Sequence, residues 1–281
     1  MRPVQILAAS LLIVSASFVG LDIPGLYTQP ASAATNDGAL ARAIAGPWRT
    51  ASLVARDGVR HPQAELDFFG IQPSMTVIEI WPGGGYWTEI LAPYLHDNGT
   101  LYAARFPVAK SGEFAEGNDA FQRKLNSNKA VYGNVRVTAF GKGADEIAPV
   151  GSADMVLTFR NIHNWMEGGF ADEAFAAFYK ALKPGGILGV EEHRAAADKP
   201  QDPAARSGYV RQDFTIELAK KAGFELVGSS EINANPKDTK DYPEGVWTLP
   251  PTFALGDKDR AKYAAIGEAD NFVLKFRKPT K

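Results

Sequence analysis

The chain has 281 residues, with 30 Lys and Arg against 32 Asp and Glu and 45% hydrophobic residues, a balance that excludes disorder of the whole chain. A net charge of −2 with no run of like charges removes the electrostatic basis for a broad nucleic-acid surface. The absence of cysteine excludes disulfides, thiolate nucleophiles, iron–sulfur clusters and zinc sites built on Cys.

Arg2 precedes an apolar run over 4–21, and Ala31-Ser32-Ala33 offers the small residues that a signal peptidase accepts. Residues 1–33 are therefore expected to be a signal peptide cleaved near Ala33, which would export 34–281 to the periplasm or beyond with no membrane attachment left. An uncleaved anchor is the other reading of the run. Residues 34–281 are expected to form one domain.

A helical segment over 34–74 comes first, with short helices at 38–45 and 50–56, a break at Asp57-Gly58, and a third helix at 62–69 that Pro62 opens and Gly70 ends. Thr76-Val77-Ile78-Glu79-Ile80 then reads as a buried strand, Trp81-Pro82-Gly83-Gly84-Gly85 as a turn and 86–95 as a helix. Strands follow at 101–104, 135–140, 155–159, 187–190 and 224–227, with helices around 113–126, 170–182 and 214–222, and Lys183-Pro184-Gly185-Gly186 stopping the second of these. The stretch 231–271 carries Asn235-Pro236, Tyr242-Pro243 and Leu249-Pro250-Pro251 and reads as a long loop or lid. A last strand at 272–276 has no crossover helix before it and should run antiparallel. The alternation predicts a doubly wound α/β fold with a mainly parallel, seven-stranded sheet and one antiparallel strand.

Ligands of such sheets bind beyond the carboxyl ends of the strands, where the strand order switches. Glu79 with the glycine turn, Arg105, the run from Thr158 to Trp165, and Glu191-Glu192-His193-Arg194 all fall there. Gly83-Gly84-Gly85 lets a ligand approach the backbone, although a glycine turn alone is also an ordinary tight corner. His163 and His193 follow adjacent strands and can share a cavity with Glu191, Glu192 or Arg160. There an imidazole can take a proton from a substrate O–H or N–H; a loop hydrogen bond is the plainer role for each. No His-x-x-x-His spacing supports a metal site, and none is expected. Arg105 at the end of a second strand can hold a 2′-phosphate in nicotinamide-binding folds, but Gly83-x-Gly85-x-x-Thr88 lacks the third glycine of that pattern.

Val77-Ile78-Glu79-Ile80-Trp81-Pro82-Gly83-Gly84-Gly85 resembles the first motif of the class I S-adenosylmethionine-dependent methyltransferases, and Leu182-Lys183-Pro184-Gly185-Gly186 resembles the turn before their fifth strand. Phe159-Arg160-Asn161-Ile162-His163-Asn164-Trp165, Glu192-His193-Arg194 and Trp247-Thr248-Leu249-Pro250-Pro251 are similar to a subgroup of exported bacterial members. The resemblance covers nearly all of 34–281 and implies a Rossmann-like methyltransferase fold, S-adenosyl-L-methionine as cofactor and an unidentified small-molecule acceptor. It implies that Glu79, Gly83, Gly84 and Gly85 hold the methionine portion, that Asp145 meets the adenine amino group, and that Thr158 and Arg160 line the transfer site. His163, His193 and Glu192 are the candidates for acid–base work. In two places the sequence departs from the family: Trp81 stands at the place of the first glycine, and Arg105 ends the second strand where the family keeps an acid for the ribose. These departures favour the alternative of a non-catalytic small-ligand-binding protein of the cell envelope on the same fold.

Overall fold

The computed structural model describes residues 33–107 and 113–280; the leader read in 1–33 lies, apart from Ala33, outside the described residues. Four helices open it: α1 (Ala33–Ile44), α2 (Ala51–Val54), α3 (Asp57–Arg60) and α4 (Pro62–Phe69). The Asp57-Gly58 pair, expected as a break, instead forms the single turn α3. His61, with φ +42, ends that turn, and Pro62 starts α4.

The alternating unit follows as β1 (Thr76–Ile80), α5 (Thr88–Leu95), β2 (Thr100–Arg105), α6 (Glu113–Ser127), α7 (Lys129–Tyr132), β3 (Arg136–Ala139) and β4 (Ala153–Phe159). Next come α8 (Ile162–Glu167), α9 (Ala171–Ala181), β5 (Leu182–His193), α10 (Gln212–Lys221), β6 (Glu225–Ser230), α11 (Arg260–Ile266) and β7 (Asn271–Arg277). The sheet has seven strands in the order β3-β2-β1-β4-β5-β7-β6, and β7 runs antiparallel to both β5 and β6. Lys183-Pro184-Gly185-Gly186 does end a helix, but it lies within β5, because Leu182 already pairs with Ala153 across a register shift.

Side chains alternate across β1, as the period of two requires. Val77 packs beneath α1, α4 and α5, while Ile78 and Ile80 face α8 and α9, all three essentially buried. A strand covered on both faces must be apolar throughout, so the buried Glu79 in this one stands out. After β1 the chain goes to β2 and β3 on one side, and β4 returns to the other. The crevice at that switch, beyond the carboxyl ends of β1 and β4, holds the site.

The stretch 231–271 is more ordered than a loop. Val246, Leu249 and Tyr263 form a small apolar cluster with Tyr209 and Ala269, built on a 3-10 turn, Gly245–Thr248, and on α11. Its prolines and glycines keep these elements to four and seven residues, too short to show a period. Among the described residues no helix is long and apolar enough to cross a membrane.

Candidate functional site

The backbone leaves β1 in the left-handed region at Trp81 (φ +48), and Gly83 (φ +54) and Gly85 (φ +84) complete the turn. Trp81 thus adopts a conformation that glycine adopts without cost and that a bulky side chain adopts only under strain. A Cβ on Gly83 or Gly84 would meet nothing within 4 Å, so this part of the turn opens onto space; one on Gly85 would meet Lys124 of α6 at 2.9 Å. Of the three glycines, Gly83 and Gly84 line a cavity of about 400 Å³ and Gly85 packs against α6.

Glu79 lies in the wall of that cavity, 1% exposed, and accepts a 2.6 Å hydrogen bond from the Thr88 hydroxyl. No cation pairs with it among the described residues, so burial pushes its carboxyl up to about 7 against the Thr88 hydrogen bonds. At neutral pH it can both donate and accept.

The opposite wall comes from β4, α8 and β5. Arg160, in the left-handed region at φ +62, follows β4 directly. Glu192 is fully buried and accepts the first amides of α8, Ile162 N–H at 2.6 Å and His163 N–H at 3.3 Å, together with the His193 N–H at 2.8 Å. The oxygen that accepts the His193 N–H, Oε1, also meets the His163 Nδ1 at 3.0 Å. A buried carboxylate is tolerated here because the helix start and the imidazole satisfy it. Glu192 therefore holds His163 from behind, while His163 and His193 face the cavity with ring centroids 5.6 Å apart. The Asn271 amide donates to the Ala269 carbonyl, which turns its oxygen to the His193 Nδ1 at 2.7 Å. That nitrogen carries the proton, and Nε2 is left as the acceptor. Burial, with Arg160 and His163 nearby, pushes the His193 pKa well below the ordinary value, so the ring is neutral at neutral pH.

Other expected residues lie elsewhere. Asp145 is on the surface, paired with Lys180 at 3.2 Å, and does not line the cavity. Thr158 is fully buried in β4, behind the cavity wall, and its hydroxyl accepts from Asn161 at 3.3 Å. Arg105 turns towards α6 and donates to the Asn118 carbonyl at 3.2 Å. The cavity also gains Glu268 and Trp247 from 231–271 and Arg56 and Arg60 from the turn around α3. Among the described residues no group of three or more His, Asp or Glu is arranged to hold a metal ion.

On the β2–β3 side, among the described residues, aromatic rings fill the crevice beside the glycine turn. The Trp81 indole lies 4.0 Å from the Phe106 ring, with Phe140, Trp165 and Phe170 within 6.2 Å, and donates its N–H to the Phe140 carbonyl at 2.8 Å. Phe106 follows β2 and Phe140 follows β3.

No protein-family model matches the sequence, and no curated protein matches it. Solved structures do match. A SAM-dependent methyltransferase from Aquifex aeolicus superposes with a TM-score of 0.54 at 16% identity, over 86% of this chain and 98% of that one. The 4+2 cyclase SpnF gives 0.55 at 17% identity, over 88% and 93%. Phosphoethanolamine N-methyltransferase 2 from Haemonchus contortus, solved in complex with S-adenosyl-L-methionine, gives 0.53 at 16% identity, over 89% and 58%. This is the class I methyltransferase fold. The presence of a cyclase among the matches shows that this fold does not fix the reaction.

Proposed function

We propose that the protein is an S-adenosylmethionine-dependent methyltransferase acting on a small acceptor, as an exported enzyme. The observation that carries this reading is the joining, in one cavity, of an open glycine turn over buried Glu79 with two imidazoles. The amino-acid half of the cofactor fits: Gly83 and Gly84 leave room for it, and Glu79 offers it a carboxyl group. S-adenosylmethionine, when bound, supplies an electrophilic methyl group. The chain's own part is alignment and proton handling. The His193 Nε2 takes a proton from an acceptor O–H or N–H, and the His163–Glu192 pair fixes the neighbouring ring and its tautomer. Trp247 and Trp87 line the same space and add apolar surface to it.

Titration calorimetry with S-adenosylmethionine and S-adenosylhomocysteine tests this. Binding in the micromolar range is expected, and Gly84→Val should abolish it with the fold intact, because the new side chain grows into open space from a backbone with no positive φ. Absence of heat from the folded wild type would end the reading.

One observation favours the second reading, a protein that binds a ligand without a nucleoside. The Trp81 indole fills the β2–β3 side, and neither Arg105 nor Asp145 offers a carboxylate to a ribose or a base. The nucleoside half of the cofactor fits this side only when the indole has moved.

A further inference from the structure

Arg60 is 7% exposed, lines the cavity and stacks its guanidinium on the Tyr86 ring at 4.4 Å. Its Nε is buried without a hydrogen-bond partner, and among the described residues no carboxylate pairs with it. The carboxylate nearest in sequence, Asp57, is already held by Arg49 at 2.6 and 2.9 Å and by the Tyr86 hydroxyl at 2.7 Å. A buried guanidinium without an anion is a costly arrangement that a folded chain keeps only where something else supplies the charge.

Two more arginines reach the same space. Arg56 precedes Arg60 by one helical turn, on the same face of α3. It grips Glu268 with two hydrogen bonds of 2.7 and 2.6 Å, and Arg160 adds a third at 2.9 Å. The cavity wall therefore presents three guanidiniums against one fully paired carboxylate, Glu268, and the buried Glu79, with Glu191 behind Arg160 at 3.8 Å; Arg60 alone has none of these within reach. Glu268 also shows what this wall accepts: a planar carboxylate in a guanidinium fork.

We propose that Arg60, flanked by Arg56 and Arg160, is an anion subsite that takes a carboxylate of the ligand bound in this cavity. The inference deepens the methyltransferase reading but does not need it. The carboxylate has two possible sources, the amino-acid end of S-adenosylmethionine or an acidic acceptor.

The test is calorimetric titration of wild type, Arg60→Lys and Arg60→Met with S-adenosylmethionine, with its decarboxylated analogue and with malonate. If the cofactor supplies the carboxylate, wild type binds S-adenosylmethionine about tenfold or more tightly than the analogue, Arg60→Met loses the difference and Arg60→Lys keeps part of it. If the acceptor supplies it, the two cofactor forms bind alike in all three proteins, and malonate binding weakens at least about tenfold in Arg60→Met. Malonate binding that depends on Arg60, with no binding of S-adenosylmethionine, upholds the subsite and ends the methyltransferase reading. Equal affinities in wild type and Arg60→Met for both S-adenosylmethionine and malonate overturn the subsite. Should Arg60→Met fail to fold, Arg60→Lys decides: a reduced carboxylate preference between the cofactor forms, or weakened malonate binding, upholds the subsite, and the absence of both changes overturns it.

Discussion

On the β4–β5 side of β1 the strand ends carry Arg160, His163, Glu191, Glu192 and His193; on the β2–β3 side the matching positions carry Arg105, Phe106 and Phe140 under the Trp81 indole. On the first side Arg160, His163 and His193 line the cavity, each held by a partner, with Glu191 and Glu192 buried behind them, and the His193 Nε2 is left to face the cavity. On the second side the indole has used its one N–H, and the ring faces meet one another. One sheet, with one topology, thus ends in a polar wall that leaves the His193 Nε2 without a partner among the described residues and in an aromatic wall whose polar group is paired within the chain. Ligand chemistry is to be read from the first wall, since unsatisfied buried groups call for a ligand and satisfied ones do not.

The largest effect should come from opening the aromatic side. Trp81→Ala removes an indole packed against four aromatic rings and should cost about 3 kcal/mol in urea unfolding. Trp81→Gly should cost less by about 1 kcal/mol, because the φ of +48 is then unstrained. Both variants should bind S-adenosylmethionine more tightly than wild type. Loss of stability with no gain in affinity would show that the aromatic side never admits a nucleoside.

Glu79 stands between the two sides, and its effect on stability has a definite sign. Its folded pKa of about 7 lies above the ordinary 4.5, so the folded state holds the proton more strongly than the unfolded state. Stability is then fully present below pH 4.5 and falls until the pH has passed about 7, by about 3 kcal/mol in all. Glu79→Gln should flatten this part of the curve and be the more stable protein at pH 8. An unchanged slope between pH 4.5 and 7 would mean that Glu79 gains a compensating cation in solution.

How much of this was legible in the sequence depends on how local each cause is. The bounds of β1 and α4 follow from a buried run, from Pro62 at the helix start and from Gly70 at its end, all within the segments themselves. The helix α8 has six residues and no period, and its start is fixed by Glu192, 30 residues from Ile162. Glu79 and the glycine turn lie in one contiguous motif, and the structure leaves open space above Gly83 and Gly84 of that motif. Glu268 carried no local signal, because its partner Arg56 is 212 residues away. Asp145 had the right distance from a strand end, yet the chain turns back through the Gly141–Ala144 bridge and sets the side chain beside Lys180 on the surface.

The smallest effect concerns the element that closes the open side. Arg56 and Arg160 hold Glu268 below the ordinary carboxyl range, against the opposing effect of its burial. A depressed value contributes stability above the ordinary pKa of 4.5, lost as the pH falls through the folded one, so this contribution has the opposite pH sense to that of Glu79. Glu268→Gln keeps one acceptor oxygen and loses the charge, and should cost about 1 kcal/mol at neutral pH. The loss should be local: amide exchange should speed up in α11 and in the Gly245–Thr248 turn and stay unchanged in β1 and β4. Arg56 and Arg160, released from their partner, should then bind malonate more tightly than in wild type. A loss of stability as large as that of Trp81→Ala, spread evenly over the sheet, would instead make Glu268 part of the core scaffold. The open side would then owe its openness to packing rather than to arginines waiting for an anion.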